Sequence, residues 1–256
     1  FLGVGIPVTE PSLGTLLRVG NNFLFSGEWW ITVFPGAALA LPAADGSLRA
    51  AVGGLGASAM PRRDRFLAAR IRAALPDGTY VLAASPSGED LDEVALGWLL
   101  GGYAFSRYRD QKPPKAQLVA PDGVAVARLV HIAAGEALTR DLINTPSSDM
   151  GPDELEAAAR ALADAHGATM SVTTGDDLLA QNFPLIHAVG RASPRSPRLV
   201  EMTWGSGGPV LTLVGKGIVF DTGGLNMKPG ASMGLMKKDM GGAAAVLGLA
   251  RMIMGL

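Results

Sequence analysis

Apolar residues recur every three or four positions from Gly123 to Ile143. Val126, Leu129, Val130, Ala133, Ala137, Leu138 and Leu142 all fall in this pattern, which predicts one long helix. Asn144-Thr145-Pro146 ends it, because the residue before a proline is pushed out of the helical region. Upstream, Phe66, Leu67, Ile71 and Leu75 give a helical spacing over Arg62 to Leu75, closed by Pro76-Asp77-Gly78. Thr79 to Ala83 then reads as a strand, Asp90 to Tyr103 as a helix capped by Ser87 or Asp90, and Gln117 to Val119 as a short strand. Trp29 to Phe34 has strand-like β-branched and aromatic content, and Ala44-Asp45-Gly46-Ser47 is a turn signal.

Downstream the pattern is more regular. Asp153 to His166 is an alanine-rich helix opened by Pro152 and acidic residues and closed by Gly167. Strands are expected at Met170–Thr173, Ile186–Val189 and Leu199–Thr203, with a short helix at Asp176–Ala180. Val210 to Val214 is an uninterrupted apolar run, as in a strand buried on both faces. Alternating strands and helices point to an α/β layer architecture. The chain is expected to divide into an N-terminal α/β domain over 1–122, poorly defined before 50, and a second α/β domain over 123–256. The helix over 123–143 would link them.

Composition narrows the function. Apolar residues make up 48% of the 256 residues and charged residues 18%, a balance that supports a packed core and argues against disorder. The formal net charge of -1 provides no basic surplus for a phosphate backbone, so no nucleic-acid partner is expected. There is no cysteine, which excludes disulfides, thiolate metal ligands and cysteine nucleophiles. Phe1 to Val8 is apolar but lacks a preceding basic residue and contains Pro7, so it reads as neither a signal peptide nor an anchor. Later apolar stretches are broken well short of the roughly 18–20 residues that span a membrane. The chain stops inside the helical pattern at Ala250 to Leu256, from which truncation is expected.

The chemistry concentrates in the glycine-rich segment Leu213 to Lys228 and the following Met236-Lys237-Lys238-Asp239-Met240-Gly241-Gly242. Lys216 sits between two glycines, Asp221 stands two positions before Gly223-Gly224, and Lys228 and Asp239 follow. Glycines permit close backbone approach and positive φ. One reading of these residues is a set of solvated ion pairs. A phosphate loop is a poor match, because Val210 and Gly217 stand where that motif needs glycine and Ser or Thr. The third reading is a divalent metal site, since carboxylate oxygens suit zinc, manganese or magnesium. A lysine joins such a site as the neutral amine, which burial and nearby cations favour.

In residue type and spacing, Gly215-Lys216-Gly217, Asp221-Thr222-Gly223-Gly224, Lys228 and Asp239-Met240-Gly241-Gly242-Ala243-Ala244-Ala245 resemble the metal-binding block of the M17 family, the leucyl aminopeptidases. Asp141 to Ser147 and His187 to Ser193 resemble further family segments, and Ala95 to Trp98 with Tyr103 to Phe105 more weakly resemble its N-terminal domain. The resemblance covers about Leu75 to Leu256. It implies that Lys216 ligates one metal, that Asp221 bridges two, and that Asp239 ligates the same metal as Lys216. Lys228 would polarise the scissile carbonyl and stabilise the oxyanion. Met236 would line the pocket for the first substrate side chain, although an ordinary core methionine is the alternative for that position. The implied cofactors are two divalent ions, manganese or zinc, with magnesium a third option. The implied partners are peptides with a free N-terminus and further copies in a homohexamer, in the cytoplasm.

This sequence departs from the family in one respect. The later Asn-Thr-Asp-Ala-Glu-Gly-Arg segment, which supplies two more carboxylates and an arginine, does not occur, and Asp239 is the last carboxylate. The expectation is therefore an incomplete, inactive piece of a two-metal aminopeptidase. The alternative is a non-catalytic assembly or binding protein with a degenerate peptidase domain.

Overall fold

The computed structural model describes residues 38–46, 48–53, 66–83, 88–222, 225 and 227–256. The strand expected at Trp29–Phe34 and the proposed Ser87 cap lie outside these residues, as do Ser47 and the first residues of the helix expected from Arg62. The chain forms two compact units, Phe1–Leu129 and Val130–Leu256.

In the first unit, strands β1 (Ala38–Pro42) and β2 (Leu48–Gly53) pair antiparallel. Their turn is closed by Gly46 N–H donating to the Ala43 carbonyl at 3.0 Å. Helix α1 (Ala68–Ala74) is followed by β3 (Thr79–Tyr80), helix α2 (Glu89–Leu100) and β4 (Gln117–Leu118), and β3 and β4 pair in parallel. Ala68, Trp98 and Ala116 are buried together, with Ile71, Val94 and Leu118 against them. Arg72 reaches this core, where its Nη1 donates to the Trp98 carbonyl at 2.7 Å and its guanidinium lies 5.9 Å from the indole centroid.

Helix α3 (Val126–Asn144) begins in the first unit and runs into the second. It is followed by α4 (Pro152–His166), β5 (Thr169–Thr174), α5 (Asp177–Ala180), α6 (Pro184–Gly190) and β6 (Arg198–Thr203). The chain continues through α7 (Gly230–Met233), a 3₁₀ turn (Met236–Met240) and α8 (Gly241–Gly255). Strands β5 and β6 are antiparallel, with Val172 opposite Val200. Helix α4 has proline in its first turn, Asp153 and Glu154 beside it, and Gly167 in the left-handed conformation at its end. Each of these features suits its position relative to the helix dipole and the unpaired backbone groups. Arg195 and Arg198 staple this helix to the start of β6, Arg195 pairing with Asp153 and Glu154, and Arg198 with Asp153 and Glu156.

The core that supports the chemistry gathers Leu142 of α3, Met150, Met240 and Ala244, with Ile143, Leu155, Val219 and Leu247 packed on it. Helices α3 and α8 approach closely at Gly135 and Gly248. A Cβ on Gly135 would stand 2.5 Å from the Gly248 carbonyl, and one on Gly248 would meet Thr139 Oγ1 and the Gly135 carbonyl. The contact is secured by Thr139 Oγ1, 3.2 Å from the Ala244 carbonyl.

The structure corrects two expected strands. Ile186–Val189 lies in helix α6, which Pro184 opens. A four-residue apolar run is compatible with either state, and its period cannot decide. Val210–Val214 is in no ladder among the described residues, and Val210, Leu211 and Val214 are 93%, 75% and 88% exposed. The run has strand-forming side chains but no paired neighbour. Gly205, Gly207 and Gly208, all at positive φ, turn the chain after β6.

Candidate metal centre

The segment around Lys216 is held by the first turn of α8. Ala243 N–H donates to the Lys216 carbonyl at 2.9 Å. This bond requires two backbones to touch. A Cβ on Gly215 would lie 2.5 Å from the Gly242 carbonyl and 2.7 Å from Ala243 N, and one on Gly242 would lie 2.8 Å from Lys216 N. Both glycines are therefore fixed by close approach. Helix α8 in turn follows directly on the 3₁₀ turn that carries Met236 and Asp239, and buried Met240 pins that turn into the core.

These two supports bring the five sequence-predicted residues together. Lys216 Nζ donates to Asp239 Oδ1 at 2.8 Å and lies 3.5 Å from Asp221 Oδ2. Lys228 Nζ donates to the Asp221 carbonyl at 2.5 Å and stands 3.4 Å from Asp221 Oδ1 and 3.1 Å from Met236 Sδ. Asp221 thus faces both lysines, and Met236 is partly buried beside Lys228. Gly223, Gly224 and Asn226 of the same motif lie outside the described residues.

The electrostatics follow from these contacts. The hydrogen bond to Asp239 is the main cause that holds the Lys216 amine above its ordinary pKa, with Asp221 adding to it and desolvation opposing it. The same bond holds the Asp239 carboxyl below its usual range. Lysine thus carries its proton between two carboxylates, and a cation that takes its place among them must displace that proton.

The donor set fits a hard divalent cation in kind. Asp239 Oδ2 is buried and makes no hydrogen bond. Lys238 Nζ stands 3.6 Å from it. An acceptor left over at the base of a cluster is the group a metal would satisfy. The set is small in number. Among the described residues no three His, Cys, Asp or Glu side chains gather around one point; what the cluster offers is two carboxylates, Asp221 and Asp239, beside the Lys216 amine. The sequence reading missed Lys237, whose Nζ donates to the carbonyls of Ile143 and Asn144 at the end of α3. The signal was a lysine next to the site, but its target 93 residues away has no trace in local spacing.

Residues 137–256 match the cytosol aminopeptidase family, catalytic domain, and residues 29–121 match the M17 aminopeptidase N-terminal domain. The chain belongs to the M17 aminopeptidase family. The crystal structure of a cytosol aminopeptidase from Coxiella burnetii is 37% identical and superposes with a TM-score of 0.79, covering 95% of this chain and 53% of that one. The bottromycin maturation enzyme BotP in complex with Mn is 33% identical with a TM-score of 0.74, covering 98% and 54%. Among curated sequences, the "Probable cytosol aminopeptidase" of Syntrophotalea carbinolica is 39% identical over 196 residues, 68% of this chain and 39% of that protein. The chain thus spans a little over a third of such curated M17 relatives and about half of the solved ones. Its fold is the α/β fold of M17 aminopeptidases.

Proposed function

We propose that this chain carries the metal-holding part of an aminopeptidase that releases leucine-like N-terminal residues from peptides. The observation that carries this reading is the convergence of the Lys216 amine with the Asp221 and Asp239 carboxylates, three groups that lie up to 23 positions apart in the chain. Lys216, Asp221 and Asp239 would hold two divalent ions, manganese or zinc, with magnesium as a third option. When bound, such ions supply Lewis acidity and an activated water near neutral pH. The manganese in BotP and the family membership of this chain support that chemistry.

The chain's own residues then account for binding and charge. Lys228 presents its Nζ 3.4 Å from Asp221, where it can meet a developing oxyanion. Met236 lies against Lys228 and offers an apolar, deformable wall to the substrate's first side chain. Substrates are peptides with a free N-terminus. Assembly is as a homohexamer, located in the cytoplasm, in keeping with the relatives' name of cytosol aminopeptidase. Among the described residues no helix is long and apolar enough to cross a membrane.

Three ligands do not complete the coordination of two ions. The 256-residue chain by itself is therefore expected to bind ions weakly and to leave leucine amide intact in manganese buffer. A version extended to the length of the relatives is expected to bind two ions per chain and to hydrolyse it. Absence of metal in that longer protein would favour the non-catalytic binding reading instead.

A further inference from the structure

We propose that Lys237 is a positioning residue for the metal centre, acting through the C-terminus of helix α3. Its Nζ donates to Ile143 O at 2.9 Å and Asn144 O at 3.0 Å. A helix leaves its last carbonyls without partners and concentrates partial negative charge there. Asp141 O still has a backbone partner, accepting the Thr145 N–H at 3.2 Å as well as the Thr145 hydroxyl at 2.7 Å. Lys237 takes the next two that matter here, from 93 and 94 residues away.

The Lys237 side chain leaves the five-residue 3₁₀ turn that also carries Met236 and Asp239. Such turns have poor hydrogen-bond geometry and little stiffness of their own. Met240 anchors the far end of the turn in the core, and Lys237 anchors the near end to a nineteen-residue helix. Between these two anchors, Asp239 meets Lys216 through one oxygen and buries the other. Lys237 thereby sets where Asp239 sits, and touches no substrate or ion itself. This inference deepens the metal-centre reading and rests on it for its purpose, but the tether has a readout of its own.

The test uses the 256-residue chain and its K237M, K237Q and K237R variants, with far-UV circular dichroism as a check on folding. Amide hydrogen exchange is followed over Met236–Met240, and Mn²⁺ binding is measured by calorimetry. In K237M and K237Q the amides of the turn are expected to exchange about tenfold faster, as expected for loss of a charged hydrogen bond. Exchange in α4 and the β5–β6 hairpin should stay the same. Mn²⁺ affinity is expected to fall about 10–100-fold, the usual effect of removing an outer-shell partner. K237R should recover both. Unchanged exchange in the turn overturns the proposal. So does uniform acceleration across the second unit, or loss of the far-UV signal, since either makes Lys237 a general folding residue. If binding to the unaltered chain is too weak to measure, Mn²⁺ affinity is compared in the protein extended to the length of the relatives; no Mn²⁺ uptake there ends the metal reading, and hydrogen exchange still decides the tether.

Discussion

Lys216 and Asp239 are 23 positions apart and meet at 2.8 Å. The amine and the carboxylate come from separate supports, an extended glycine-rich segment and a 3₁₀ turn, and both supports converge on the first turn of helix α8. Removing the carboxylate from this pair should be felt by a cation more than by the fold. Asp239→Asn is expected to lower Mn²⁺ affinity by about 100-fold or more, since loss of an outer-shell partner alone costs about 10–100-fold. The melting temperature without metal should change little. Calorimetric titration beside a thermal melt checks this, and equal Mn²⁺ binding by both proteins would refute a ligand role for Asp239.

Gly215 faces backbone on the helix side, and backbone cannot step aside as a flexible side chain can. Gly215→Ala is expected to cost about 1–3 kcal/mol, the range for overpacking. It should also push Lys216 away from Asp239. Urea unfolding measures the first effect, and weakened Mn²⁺ binding in the remaining folded protein measures the second.

The crossing of α3 and α8 makes a similar demand at a distance from the chemistry. Gly248→Val adds bulk where Thr139 and the Gly135 carbonyl already stand. A loss of about 1–3 kcal/mol or more is expected. Thr139→Ala should lose only about 1 kcal/mol, the net worth of a hydrogen bond. Comparing the two in denaturant separates steric from polar contributions at this contact.

The staple between α4 and β6 should show itself in acid. Hydrogen bonds from Arg160 and then Arg198 hold the Glu156 carboxyl below its ordinary range. A carboxyl whose folded pKa is depressed contributes stability above its unfolded value, roughly pH 4.3, and that contribution disappears as pH falls through the folded value. Glu156→Gln should therefore lower stability by no more than about 1 kcal/mol at pH 7, given the solvent around this pair. The difference from the unaltered chain should shrink as pH falls below the unfolded value and vanish once it passes the lowered folded one. Denaturant titrations at several pH values test the sign. A difference that grows in acid would contradict it.

Much of the second unit was legible in the sequence because its elements are long and locally consistent. The helix over Pro152–His166 announces both its ends, and the α3 pattern repeats over five turns. The cluster of Lys216, Asp221, Lys228, Met236 and Asp239 was legible as a motif, since glycine spacing and acid–amine order travel together along the chain. Two strands were misread for different reasons. Ile186–Val189 is too short for its period to distinguish strand from helix, and the local proline decided for helix. Val210–Val214 has the composition of a central strand, but a strand is a property of a pair, and composition carries no record of the partner. Lys237 was invisible for a related reason, because the helix end that it caps is remote in sequence.

Among the described residues no ladder stiffens the segment carrying Lys216, and its backbone bond from helix α8 gives a specific order of events on warming. Fraying of a single helical turn would set the amine adrift while the β5–β6 hairpin and helix α4 stay whole. Cation affinity in this chain should therefore fade at a lower temperature than its circular dichroism signal, so that the chemistry melts before the architecture.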